Sequence, residues 1–267
     1  MSQVIFCKTR YQDIGYHSYN DLWQMVVLAG YPLIYVDQIP EHDSADTTFI
    51  ITPVNGEWNT WGKGLIHGRV ILWQLEWNWD GEHNIPACVD EVWNSDKAHA
   101  EKSGFRYVPM GGDERLNEFE LPNYDTPQSY DVAQISYQTH RRQIITEQLK
   151  ANGLTLAPIS GLWGSARSLV LRQSSLMLHV HQREDTVGVA PLRWCLAAAH
   201  HLPLVTEMVP DRGVFGYSMM VQAEYGFLAA FTANMLKDKR LLRDYAEALH
   251  GFLCVDYTFR KSVDSHV

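Results

Sequence analysis

The sequence predicts an α/β protein of two successive domains, each a parallel sheet covered by helices, facing a central cleft. Three observations predict it. Short β-rich runs alternate with helical stretches from end to end, the alternation breaks once over residues 111–130, and it then restarts. Such alternation marks parallel sheets covered by helices. The length of 267 residues suits one large domain or two ordinary ones.

The first run, "VIFCKT" (4–9), reads as a strand. "SYNDLWQMVVLAG" (18–30) reads as a helix: Ser18 can cap it, Leu22, Met25, Val26 and Ala29 share one face, and Gly30 stops it. "PLIYVDQI", "TTFIITP" and "GRVILWQLE" (68–76) follow as strands. A short helix "KAHAEKSG" comes next, with Ser95 or Asp96 as its cap. "FRYVPMGG" (105–112) is a strand that ends in glycines. The break "GGDERLNEFELPNYDTPQSY" holds five carboxylates, two prolines and no periodicity, as a linker does. The expected division is residues 1–120 and 121–267, hinged near 112–130.

After the linker, "YDVAQIS" is a strand and "YQTHRRQIITEQLKANG" a helix closed by Asn152 and Gly153. "LTLAPIS" is a strand, "SARSLVLRQS" a helix, "SLMLHVHQ" a strand, "PLRWCLAAAHH" a helix and "LPLVTE" a strand. The last 30 residues look helical and amphipathic, and the helix beyond residue 240 is expected to pack back on the first domain.

In open α/β sheets, ligands bind off the carboxyl ends of the strands. In the second half those ends carry Ser136 and Tyr137, then "SGLWG" (160–164), then His181 and Gln182, then Glu207. The helix opening at Pro191 starts at the same edge, with Arg193 in its first turn. Arg141 and Arg142 sit in the helix after Ser136. Three arginines and helix N-termini converging on one edge describe a site for a phosphorylated ligand. No GxGxxG and no GxxxxGK[ST] occurs, so neither the usual dinucleotide fingerprint nor a P-loop is present.

Composition narrows the class. The chain is 46% hydrophobic and 20% charged, as a soluble enzyme is. No apolar run is long enough to span a bilayer, and "MSQVIFCKTR" has no signal-peptide layout. Cys7, Cys88, Cys195 and Cys254 form no CxxC pair, so a reducing, cytoplasmic compartment is expected. The net charge of −9 argues against a large basic surface for nucleic acid. Trp58, Trp61, Trp73 and Trp77, with Trp79 just beyond, are either packed core or a wall that stacks on sugar or base rings.

The second half resembles the C-terminal domain of glycosyltransferases of the GT-B fold, in which two Rossmann-like domains face a cleft. It is most similar to the group whose last motif runs from a hydrophobic strand with N-x-H, through an arginine, to P-x-V-x-E. The matching segments are "LMLHVHQ", "APLRWCLAAAHH" and "LPLVTE". "YDVAQISYQTHRRQIITEQLKANGL", "GLWG" and "VDEVWNSDKAHAEKSGFRYVPMGG" resemble other parts of that group, and the likeness runs over about residues 65–210. The resemblance implies that Arg141 and Arg193 face the diphosphate of a nucleotide-sugar, with a UDP-sugar the expected co-substrate. It places Trp163 and Gly164 at the base or ribose, and His181, Gln182 and Glu207 near the sugar. It also implies that no metal or other cofactor is required. One departure stands out: many GT-B enzymes carry a ribose-binding Glu three residues after the arginine, where this chain has Leu196.

The first domain of such enzymes usually binds the acceptor. In the loop "RYQDIGYHSYND", Asp13 and His17 face the presumed cleft, and Gly15 lets the loop approach it. Asp13 and His17 are candidate general bases and Glu76 at the end of "VILWQLE" is a third; Asp13 is preferred, or failing that Glu76. Small versions with these motifs also resemble bacteriophage enzymes, some of which glycosylate hydroxymethylated bases in DNA. A glycan is the other acceptor choice. The competing reading is a non-catalytic module that holds a nucleotide or sugar between two α/β domains.

Overall fold

A computed structural model describes residues 3–10, 12, 19–52, 66–75, 85–119, 122–135, 138–159, 161–184, 190–210 and 215–267. Six strands form one parallel sheet: β1 (Gln3–Lys8), β2 (Leu33–Tyr35), β3 (Thr47–Ile51), β4 (Arg69–Gln74), β5 (Glu91–Asn94) and β6 (Arg106–Tyr107). Their order is β2-β1-β3-β4-β5-β6. The central strands are buried on both faces, which explains the unbroken apolar runs "TTFII" and "VILW". A second parallel sheet contains β7 (Tyr130–Ala133), β8 (Ser174–His179), β9 (Leu204–Glu207) and β10 (Val221–Ala223), ordered β10-β9-β8-β7.

Among the described residues the α-helices are α1 (Asn20–Leu28), a short α2 (Ile39–His42), α3 (Lys97–Ser103), α4 (His140–Ala151), α5 (Gly164–Arg172), α6 (Pro191–Ala199), α7 (Leu228–Met235), α8 (Lys239–His250) and α9 (Phe259–Asp264). Of the two caps expected for α3, Asp96 serves: its carboxylate accepts from the His99 N–H at 2.9 Å. Gly30 (φ 85°) and Gly153 (φ 77°) turn the chain at the ends of α1 and α4 as their positions predict. Ser18, expected to cap α1, lies outside the described residues.

Several strands are shorter than their apolar runs. "PLIYVDQI" pairs only over Leu33–Tyr35, because Gln38 Oε1 accepts the Tyr35 N–H at 2.8 Å and Pro40 opens the turn of α2. "LTLAPIS" contributes a single bridge, Leu156 to Val132. "FRYVPMGG" pairs over two residues, and its glycines meet the C-terminal segment instead. Gly112 N–H donates to Leu253 O at 2.9 Å, and Phe259 N–H donates to Gly112 O at 2.7 Å. Phe259 then stacks on Trp73, 6.0 Å between centroids, and lies 5.8 Å from Phe6. Tyr31 hydroxyl closes the contact by donating to Asp264 at 2.5 Å. The chain therefore ends on the first sheet.

Among the described residues the core has three parts. One packs an outer face of the first sheet around Phe49, Ile51 and Val70. Another packs an outer face of the second sheet around Val132, Ile145 and Leu176. The largest runs between the sheets and joins α1 to α6, through Trp23 and Met25 on one side and Cys195 to Ala199 on the other. Trp73 is fully buried there, so of the clustered tryptophans this one is core, while Trp58, Trp61, Trp77 and Trp79 lie outside the described residues. Among the described residues no helix is long and apolar enough to cross a membrane.

Candidate functional site

The carboxyl ends of β8 and β9 meet the first turn of α4 and the start of α6. Glu207, the last residue of β9, receives two N–H groups of the Arg141 guanidinium, Nη1 at 3.1 Å and Nη2, in a forked pair. It also accepts the His181 backbone N–H at 3.1 Å. Arg141 Cζ lies over the Tyr225 ring, 3.6 Å from the centroid, and Tyr225 hydroxyl donates to Arg141 O at 2.8 Å. The guanidinium is thus fixed from two sides, by a carboxylate and by an aromatic face.

Arg142 points inward from the same turn and is buried, its Nε donating to Val180 O at 3.0 Å. Burial and the nearby Arg193 charge bring it down to about 10, with Glu207 opposing. Arg193 Nη1 lies 2.7 Å from His179 Nε2. His181 follows two residues later along the strand, and the two imidazoles sit 5.3 Å apart, edge to face. Burial, then the fields of Arg141, Arg142 and Arg193, hold His181 down to about 4, so its ring is neutral at neutral pH. Burial raises the Glu207 carboxyl more than Arg141 lowers it.

Two polar atoms here are buried and without a hydrogen-bond partner among the described residues: Arg141 Nε and His181 Nε2. A buried polar group left unpaired costs on the order of 1–3 kcal/mol, so a ligand or water that pairs with these atoms is favoured. The structure therefore gathers Arg141, His181, Arg193 and Glu207 at one edge. Gln182, beside them in sequence, is exposed. Asp13, His17, Glu76, Ser136 and Tyr137 lie outside the described residues.

Trp163 and Gly164 belong to a neighbouring cluster. Trp163 precedes α5 and Gly164 (φ 56°) opens it. The Arg167 guanidinium lies 5.4 Å from the Trp163 ring and is ion-paired to Asp21 of α1. Arg167 and Asp21 are both buried, and the pair ties the second half to the first. Between the halves runs a cleft lined by Ser95, Asp96 and Lys97 after β5, and by Pro191, Trp194 and Phe215. It opens at the carboxyl end of a first-sheet strand and at the N-terminus of α6.

Sequence reasoning passed over His179, Tyr225, Asp21 and Arg167. His179 carried a signal, because it occupies the N position of the N-x-H pattern. Tyr225 lies in a stretch with no readable periodicity.

No protein-family model matches the chain. A stretch of 84 residues, 31% of this chain, is 32% identical to an uncharacterised protein of Acanthamoeba polyphaga mimivirus and spans 10% of that protein. A second uncharacterised protein of the same virus is 27% identical over 84 residues, which span 28% of its length. Solved structures match much more of the chain. AviGT4, a glycosyltransferase involved in Avilamycin A biosynthesis, superposes with a TM-score of 0.61 at 10% identity, over 99% of this chain and 96% of that one. A TarM mutant of S. aureus, in complex with Fondaparinux, alpha-GlcNAc-glycerol and UDP, gives a TM-score of 0.57 at 9% identity, over 86% of this chain and 56% of TarM. A T4 phage BGT mutant in complex with UDP-glucose gives 0.51 at 13% identity, over 99% and 97%. The chain has the GT-B fold. Within that fold, Arg141 pairs with Glu207 at the carboxyl edge of the second sheet, and Arg167 pairs with Asp21 of the first half.

Proposed function

We propose that the chain is a glycosyltransferase that moves a sugar from a nucleotide-sugar, a UDP-sugar, to an acceptor hydroxyl. The observation that carries this reading is the pair of buried polar atoms without a partner among the described residues, Arg141 Nε and His181 Nε2, beside Arg193 at the carboxyl edge. The edge offers guanidinium N–H groups to an anion, and a diphosphate is the anion such forks suit. The GT-B fold and the UDP or UDP-glucose bound in two of the similar structures support the same choice. In this reading residues 121–267 hold the donor and residues 1–120 the acceptor. Asp13, or failing that Glu76, takes the acceptor proton. The acceptor is a glycan or a hydroxymethylated base in phage DNA.

The test is incubation with several UDP- and GDP-sugars and measurement of free nucleotide released without acceptor. Slow hydrolysis is expected of a transferase. Binding without any release would instead favour a non-catalytic sugar-nucleotide module. In parallel, Arg193→Ala is expected to weaken UDP binding by about 1.5–3 kcal/mol, the range for a hydrogen bond to a charged group. Unchanged UDP affinity would remove Arg193 from the donor site.

A further inference from the structure

The cleft between the halves has two unlike linings. The second half supplies apolar side chains, Trp194 and Phe215 foremost. Phe215 is half-buried and held from several sides. Its N–H donates to the Tyr107 hydroxyl at 3.1 Å. Its ring lies 4.5 Å from that of Tyr257 and 4.7 Å from that of Phe252. Gly216 follows in the left-handed conformation, φ 70°. A Cβ at Gly216 would lie 2.7 Å from the Phe252 ring and 3.0 Å from the Trp194 ring, so only glycine lets the chain pass this close to both. The aromatic wall is therefore built before any ligand arrives, which spares the cost of ordering it on binding.

The first half supplies Ser95, Asp96 and Lys97, directly after β5. Asp96 is fixed at both ends: its N–H donates to Asn94 Oδ1 at 2.7 Å, and its Oδ1 accepts the His99 N–H at 2.9 Å. Lys97 Nζ lies 4.0 Å from Glu101 Oε1. Among the described lining residues Asp96 and Lys97 are the charged ones, and their charges offset each other. The cavity measures about 470 Å³ with its open mouth, within the size range of pockets for small ligands. Nucleic acid is held through phosphate contacts to several cations, which this lining does not provide. A pyranose ring suits both linings. Its C–H face packs on an aromatic ring, and its hydroxyls donate to a carboxylate and accept from an ammonium or a serine hydroxyl.

We propose that this cleft is the acceptor subsite and takes a neutral pyranose unit of a glycan, with the C–H face of the ring on Phe215 and its hydroxyls on Asp96 and Lys97. This rests on the reading of the chain as a sugar transferase and names the class of its acceptor.

The experiment uses the full chain, in the presence and absence of UDP. The probes are the methyl glycosides of glucose, galactose and mannose at millimolar concentration, with a hydroxymethylcytosine nucleoside as the competing ligand. Saturation-transfer spectra and titrations read the binding. The parent is expected to bind at least one glycoside and to saturate the C–H protons of one ring face most. Phe215→Leu stays apolar but loses the ring, and affinity is expected to fall about 3- to 10-fold. Asp96→Asn keeps the cap of α3, since Asn caps a helix as well as Asp does. A loss of about 10-fold or more is then expected from the charge-assisted hydrogen bond. Melting temperatures show that each variant is folded, and Asp96→Asn decides alone if Phe215→Leu is not. No glycoside bound by the parent overturns the proposal. So does a glycoside bound by either folded variant as tightly as by the parent, and so does binding of the nucleoside in place of the glycosides. A parent that binds UDP but no glycoside loses this subsite alone. A parent that binds a glycoside through Phe215 and Asp96 but does not bind UDP overturns the donor reading instead, which separates the two failures.

Discussion

Asp21→Asn removes the carboxylate that faces Arg167 across the two halves of the chain, and it should be among the most damaging conservative substitutions in the molecule. Arg167 is 2% exposed and Asp21 6%. Arg167 Nε is already without a partner among the described residues, while Nη2 donates to Asp21 Oδ1. Neutralising Asp21 leaves a guanidinium charge buried and uncompensated, which costs about 3–5 kcal/mol. Asp21 also lies in the first turn of α1, where a negative charge is favoured by the helix dipole. At about 2–4 °C per kcal/mol for a chain of this size, the melting temperature should fall by roughly 6–20 °C. Burial raises the Asp21 carboxyl more than Arg167 lowers it. The ion pair is thus kept against a desolvation penalty and is not itself a large net gain. Replacing both partners, Asp21→Leu with Arg167→Met, should therefore cost far less than Asp21→Asn alone. Thermal and urea unfolding of the parent, the single variant and the double variant give the answer. A single variant melting within about 2 °C of the parent would refute the reasoning.

Two further outcomes concern stability. His181 and His200 are both buried, and burial is the first cause that brings each down to about 4 from an ordinary 6.5. The unfolded chain then takes up these protons first as pH falls. The stabilisation is full above about pH 6.5 and is lost toward about pH 4, by about 3 kcal/mol per histidine; a urea midpoint that does not move across this window would contradict it. Gly111→Ala should loosen the C-terminal return onto the first sheet, because a Cβ there would collide with the Tyr257 carbonyl and lie 2.5 Å from Thr258 C. A loss of about 1–3 kcal/mol or more is expected, and parent-like melting would show that this close approach is not needed.

What the sequence conveyed about the fold was carried by burial. Strands covered on both faces write themselves as apolar runs, so β1, β3, β4 and β8 stand out. Strand length did not, since pairing depends on what lies alongside. Gln38 ends β2 by capping Tyr35, and Gly111 and Gly112 give their edge to a segment about 140 residues later. β10 has three residues, too few for any periodicity. The site divides in the same way. Arg141, Arg193, His181 and Glu207 could be read because strand ends and helix starts converge on one edge by rule. Tyr225, 84 residues from Arg141, and Asp21, 146 residues from Arg167, could not. Each looks like an ordinary residue of its own segment, and only the packed halves make it a partner.

The balance of charge at this edge bears on the acceptor. The whole chain carries −9, yet Arg141, Arg142 and Arg193 converge here against Glu207 and the exposed Glu184. Over about 8 Å at physiological salt, distant charges are screened. A small diphosphate therefore responds to the local arginines and hardly to the acidic remainder. An extended polyanion such as duplex DNA covers many Debye lengths and meets the acidic surface as well. UDP affinity should accordingly fall only modestly as salt rises from about 0.05 to about 0.2 M. Over a similar range, a protein with 6–10 phosphate contacts loses about 1,000- to 100,000-fold. Duplex DNA without a modified base should bind weakly at every salt concentration, since non-specific affinity comes from phosphate neutralisation by a basic surface. The measurement is a salt series with UDP in one arm and unmodified duplex in the other. A steep salt dependence with tight duplex binding would reveal a basic groove that outweighs the net charge, and would favour DNA over a glycan as acceptor. A shallow dependence for UDP with no duplex binding favours a glycan, because a neutral sugar hydroxyl asks nothing of the surface beyond the cleft.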